Sequence, residues 1–102
     1  MQKLVVLYPP QPDPEAFKSY YVGTHMPLAR KIPGLQVLRY SFDVQGVMGD
    51  SPYFCVFEAE FADGAALGAG MGSPEGQAAA ADVPNFASVA PTLITYSVDS
   101  MM

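Results

Sequence analysis

The stretch Lys3-Leu4-Val5-Val6-Leu7-Tyr8-Pro9-Pro10-Gln11-Pro12-Asp13-Pro14-Glu15-Ala16-Phe17 sets a strand immediately before a helix. Lys3 to Tyr8 is apolar at consecutive positions, the pattern of a strand covered on both faces. Pro9 to Pro12 forms a stiff connector, because proline fixes φ and cannot donate to a sheet ladder. Asp13 is an N-cap residue, Pro14 occupies the first helical position, and Glu15 places an acid in the first turn, where the helix dipole favours it.

Downstream, Phe17, Tyr20, Tyr21, Thr24 and Leu28 recur at helical spacing and define one apolar face. Pro27 lacks a backbone donor and biases Met26 away from helical angles, so a kink or restart is expected near residues 24–27. A last turn then runs from Leu28 to Lys31, with Arg30 and Lys31 at the electronegative end. Pro33-Gly34 stops it. Leu35–Val44 reads as a second strand, 46–52 as a turn, and Tyr53–Phe61 as a third strand, pairing as an antiparallel hairpin. The odd positions of the third strand, Tyr53 to Phe61, are all apolar, while its even positions turn polar at Glu58 and Glu60. Asp63 caps a second helical region whose Gly-rich piece, Ala65–Met71, is expected to be short and mobile. Ser73-Pro74-Glu75 restarts a helix that continues through Gln77–Asp82 and ends at Pro84. Thr92–Val98 is the last strand, followed by a short tail.

The order β-α-β-β-α-β predicts one α+β domain over residues 1–102: a ferredoxin-like sandwich with a four-stranded antiparallel sheet and its helices on one face. The first strand is nonetheless apolar on both faces. A monomer would expose more apolar surface than monomers usually carry. The expected remedy is a homodimer packed through the open sheet faces, a dimeric α+β barrel, with a ligand cavity inside each subunit between sheet and helices.

The net charge of −5 and only five Lys and Arg residues exclude a basic nucleic-acid surface. No apolar run approaches the roughly 20 residues of a membrane helix. The first residues read as a strand rather than a signal peptide. The single cysteine, Cys55, cannot form an intrachain disulfide and sits in an apolar run as a small core residue. These features predict a cytoplasmic protein.

His25 is the only histidine and so the only side chain that ordinarily titrates near neutrality. It follows Tyr21 by four residues, which places it on the edge of the buried stripe centred on Phe17. There it is a candidate general base or proton shuttle. The competing reading is that it only caps a loose turn or bonds a carbonyl freed by Pro27. Tyr20 and Tyr21 are candidates to orient a substrate oxygen, or are core residues with a wet tip. Phe17, Leu28 and the strand residue Tyr40 are candidates for an apolar binding wall, and Tyr8, Tyr53 and Tyr96 are further strand aromatics available to line it or simply to pack. Glu58 and Glu60 read as a solvated edge, and nothing accompanies them to make a metal site. No nucleophilic triad order, phosphate loop, dinucleotide fingerprint or CxxC is present.

The opening Lys-Leu-Val-Val-Leu-Tyr, then Asp13-Pro14-Glu15-Ala16-Phe17, then Tyr20-Tyr21 with His25-Met26-Pro27-Leu28, resembles the EthD family of the dimeric α+β barrel superfamily. The stretch 73–82 followed by Asn85-Phe86-Ala87 resembles that family's second signature, whereas Ser88-Val89-Ala90-Pro91 stands where a Gly-containing loop is expected. The resemblance implies a homodimer of ferredoxin-like subunits and a cofactor-free barrel whose relatives include small monooxygenases and polyketide cyclases. It implies binding, and transformation by His25-assisted proton transfer with Tyr21 or Tyr20 orienting an oxygen, of an apolar or aromatic carbonyl-bearing small molecule. The alternative is a non-catalytic binding or accessory protein of a catabolic pathway.

Overall fold

A computed structural model describes residues 1–101. Strand β1 (Gln2–Tyr8) lies inside a sheet with β2 (Val37–Ser41), β3 (Cys55–Phe61) and β4 (Thr92–Ser97), in the order β2-β3-β1-β4 with every pair antiparallel. This is the ferredoxin-like α+β arrangement expected from the element order. The pairs Leu4↔Ala59, Val6↔Phe57 and Tyr8↔Cys55 carry the apolar alternation of β1 and β3 onto one face, where the helices pack.

Both hairpin strands are shorter than the sequence suggests. Ser41 Oγ accepts the Asp43 backbone N–H at 3.0 Å, a local bond that competes with the ladder and ends β2. Phe42 then turns onto Phe17 and Tyr21. At the start of β3, Ser51 Oγ accepts the Tyr53 N–H in the same way, so the strand begins at Cys55.

The first helical segment carries the main correction. Helix α1 (Pro14–Tyr20) begins on the expected cap, with Asp13 Oδ1 accepting the Ala16 N–H at 3.1 Å. No kink follows. The chain widens into a π-helical turn, Tyr21–His25, and continues as α2 (Met26–Ala29). The Met26 N–H reaches back five residues to the Tyr21 carbonyl. Pro27 has no N–H to offer the Gly23 carbonyl, and a widened turn accommodates that loss without breaking the helix. Weak turns through Ile32 close the segment.

Helix α3 (Gly64–Gly72) is capped by Asp63 and α4 (Pro74–Asp82) by Ser73, and a 3-10 turn (Val83–Asn85) follows. The glycine-rich piece, expected to be short, is a nine-residue helix. Gly70 explains part of its composition: a Cβ there would lie 2.7 Å from the Pro33 carbonyl oxygen and 2.9 Å from the Phe61 ring. The glycine lets α3 sit directly on the end of β3. Gly76 plays the same part between α4 and α3, where a Cβ would meet the Gly70 and Met71 backbone.

The Pro9–Pro12 connector is tied to the far end of the chain. Gln11 is buried, and its amide donates to the Pro9 and Val89 carbonyls and accepts the Val89 N–H. The helix-free face carries Val5, Leu7, Val56 and Ile94, bordered by the Lys3–Glu58 ion pair at 2.9 Å. Every residue of the edge strand β4 is exposed, Leu93 and Ile94 among them. Beyond the end of β2, Asp43 Oδ1 accepts from Gln45 Nε2 at 2.9 Å.

Candidate functional site

The sheet and the helices leave a narrow cavity of about 60 Å³. Leu4, Val6, Phe57, Ala59 and Phe61 form its floor, and Ala29, Ile32, Met71 and Ala79 its roof. Among the described residues, two polar side chains lie on its wall, His25 and Tyr8. Both rings pack against Tyr21 and Phe86, so they share one end of the cavity.

The widened turn brings His25 there. Four residues of an α-helix overshoot a full turn by about 40°, so the series Phe17, Tyr21, His25 should drift off the buried face. A turn with more residues removes that drift. His25 is 5% exposed, a core position rather than the expected stripe edge.

Behind His25 stands a carboxylate. His25 Nδ1 lies 3.0 Å from Asp82 Oδ2, and both residues are buried. Asp82 Oδ1 accepts from the Tyr20 hydroxyl at 2.6 Å and from Asn85 Nδ2 at 3.0 Å. Burial by itself pushes the Asp82 carboxyl up, but the bonds from Tyr20, Asn85 and His25 outweigh it and hold the group below its ordinary range. Burial pulls the imidazole of His25 below its ordinary value, against the opposing pull of Asp82. At neutral pH the pair is therefore a carboxylate and a neutral imidazole. An ionised carboxylate only accepts, so Nδ1 carries the proton and Nε2 keeps its lone pair. Nε2 has no hydrogen-bond partner among the described residues.

Tyr21 is completely buried and stacked on Phe17, with its ring 5.4 Å from that of His25. Its hydroxyl has no hydrogen-bond partner among the described residues, and desolvation beside Cys55 keeps it protonated. The Cys55 thiol is pushed up to about 12 by burial. Tyr8 is likewise held protonated by desolvation.

Of the residues singled out from the sequence, His25 lines the cavity, and Tyr21 and Phe17 pack behind it. Tyr20 turns to Asp82 and lines a separate outer groove of about 300 Å³ with Gln11, Asp13, Asn85 and Ser88. Tyr40 touches the Tyr21 ring from β2 and is partly exposed, while Leu28 is half-buried and lies outside both linings. Asp82 is the residue that sequence reasoning missed. Its signal was present: an acid in the last turn of a helix opposes the dipole, and Gly76, Ala79 and Asp82 fall on one buried face at three-residue spacing. Among the described residues no cluster of three His, Cys, Asp or Glu side chains is placed to hold a metal ion. No described helix is long and apolar enough to cross a membrane.

The EthD domain matches residues 9–90 of the chain. An uncharacterised 11.0 kDa protein of the thcB–thcC intergenic region of Rhodococcus erythropolis is 33% identical, with 100% of this chain and 99% of that protein covered. The crystal structure of an ethyl tert-butyl ether degradation family protein from Bacillus halodurans is 35% identical, with a TM-score of 0.89 over 97% of this chain and 99% of its own. Likeness in fold alone extends to a dimeric ferredoxin-like protein from Thermobifida fusca (12% identity, TM-score 0.70, 95% and 89% covered). It extends also to SnoaB, a cofactor-independent oxygenase from Streptomyces nogalater (15% identity, TM-score 0.67, 99% and 95% covered).

Proposed function

The chain belongs to the EthD family, and we propose that it is a cofactor-independent enzyme that takes a proton from a small, mostly apolar, carbonyl-bearing molecule, with His25 as the general base. The observation that carries this reading is a lone, buried, neutral histidine on the wall of an apolar cavity, its Nδ1–H held by a buried carboxylate. A base in this state accepts a proton at Nε2, and the resulting imidazolium gains Asp82 as counter-charge. The electron pair left on the substrate spreads onto its carbonyl oxygen as an enolate. The Tyr8 hydroxyl, at the same end of the cavity, donates to that oxygen. Tyr21 and Phe86 hold the imidazole from behind, and the apolar walls take the reacting end of the molecule. Enolate formation is the opening step that an oxygenase and a cyclase of this kind share.

We further propose a homodimer through the helix-free sheet face. Its support is Ile94 and Tyr96, large and exposed on that face, and the dimeric state named for a fold neighbour.

The test is proton exchange. Small aliphatic methyl ketones incubated in heavy water exchange their acidic methyl protons, a process followed directly by NMR. The protein is expected to accelerate exchange, and His25→Ala to remove at least about a hundredfold of that acceleration, the usual contribution of a positioned base. Equal exchange by the variant refutes the base. Ketone binding without any acceleration by the natural protein points to the non-catalytic reading.

A further inference from the structure

The outer groove and the cavity lie on opposite sides of one carboxylate. His25 reaches Oδ2 of Asp82 from the cavity side, while Tyr20 and Asn85, which line the groove, reach Oδ1. Each carboxylate oxygen thus serves one side. We infer that Tyr20 is a positioning residue for His25 that acts through Asp82, and that it makes the state of the buried base depend on the outer groove. The inference rests on His25 being the proton-moving group, but its test reads the imidazole itself and fails separately.

The argument begins with charge. Around His25 the titratable neighbours are Asp82 on α4, Tyr21 on its own turn, Tyr8 on β1, Cys55 on β3 beside Tyr21, and Tyr20 at the end of α1. Tyr8, Tyr21 and Cys55 are kept neutral by burial. Asp82 is therefore the charge that sets the imidazole, and its share of negative charge on Oδ2 depends on what Oδ1 accepts. A short bond from Tyr20 and a second from Asn85 withdraw charge and fix the carboxylate plane, which fixes the ring of His25 in turn. Tyr20 is suited to report the groove. Its ring is stacked on Phe86 at 5.6 Å, so it stays in place, while its side chain is only half-buried. A groove occupant that draws the phenol away from Asp82 would return charge to Oδ2 and make His25 more basic.

A single histidine makes the measurement unambiguous, because its ring signals need no assignment among others. The pH titration and the ring-nitrogen shifts of His25 are followed in the unsubstituted chain, its Tyr20→Phe variant and its Asp82→Asn variant. Tyr20→Phe keeps the stacking and loses the hydroxyl. It is expected to raise the His25 pKa by on the order of half a unit, with Nδ1 still protonated. Asp82→Asn is expected to lower it by about a unit or more, because the counter-charge is gone. A purely structural Tyr20 would leave the titration of His25 where it was. An unchanged or lowered pKa in Tyr20→Phe overturns the inference, whatever the exchange assay shows for His25.

Discussion

Replacing Gly70 with alanine adds one methyl group where α3 meets the sheet. The added Cβ would lie 2.7 Å from the Pro33 carbonyl oxygen, 2.9 Å from Phe61 Cε2 and 3.2 Å from Ile32 Cγ2. The nearest of these is backbone, so no side-chain rotation relieves it. Overpacking typically costs about 1–3 kcal/mol, and a clash with backbone that cannot rotate away puts this site in the upper half, about 2–3 kcal/mol. Alanine in a helix gains about 1 kcal/mol over glycine. The net expectation is a loss of about 1–2 kcal/mol. Gly68 supplies the control. It lies in the same helix, two residues away, with nothing within 4 Å of its Cβ position. Gly68→Ala receives the propensity gain alone, about 1 kcal/mol of added stability. The same substitution thus changes sign across two residues. With a shift of roughly 4–8 °C per kcal/mol in a domain of this size, a difference of about 2–3 kcal/mol should set the two melting points at least about 8 °C apart. Thermal and urea unfolding by circular dichroism, at one protein concentration so that self-association does not enter, measure this directly. Gly70→Ala as stable as Gly68→Ala would refute the claim that this glycine is a packing requirement. Because Ile32 and Phe61 also line the cavity, Gly70→Ala is expected to weaken ketone binding while Gly68→Ala leaves it intact.

Stability should fall on acidification in two stages. The imidazole of His25 titrates below 6.5 when folded, so the unfolded chain binds more protons once the pH drops under that value, and stability is lost as pH falls from there through the folded pKa; Asp82, held below 3.8, adds a second loss as pH falls beneath that point. The urea midpoint against pH checks this, and a midpoint that rises as pH is lowered from about 7 to about 5 would contradict the buried neutral imidazole. Ile94→Glu places a charge on the helix-free face at the exposed edge strand and is expected to convert the proposed dimer to a monomer in light scattering at micromolar concentration, with the melting profile of the isolated subunit; an unchanged mass would move the interface elsewhere.

Much of the fold was legible because its signals are local. Asp13, Asp63 and Ser73 cap the helices as their residue types suggest, and the odd positions of β3 from Cys55 onward face the core. The limits of β2 were not legible, because Ser41 and Phe42 end it through a side-chain bond and a tertiary contact that alternation does not reveal. His25 was found because it is alone in the sequence. Its setting was not, because Asp82 lies 57 residues away and meets it only when α4 docks beside the first helical segment. The π-helical turn escaped for a different reason. Pro27 announced that a bond would be missing, but a kink and a widened turn answer that loss equally well in sequence, and only the packing of Tyr21 and His25 selects between them.

That turn is, in effect, one residue inserted into a helix whose two ends are both anchored, at Phe17 and at Ile32. Deleting a single residue between Tyr21 and His25 would let the helix close to its ordinary pitch. Everything on one side would then rotate by about 100° relative to the other. A related chain one residue shorter at this point would keep its histidine in the alignment yet turn it away from the cavity. A gap at this one place, rather than a change of the histidine itself, would mark the relatives that have lost the buried base.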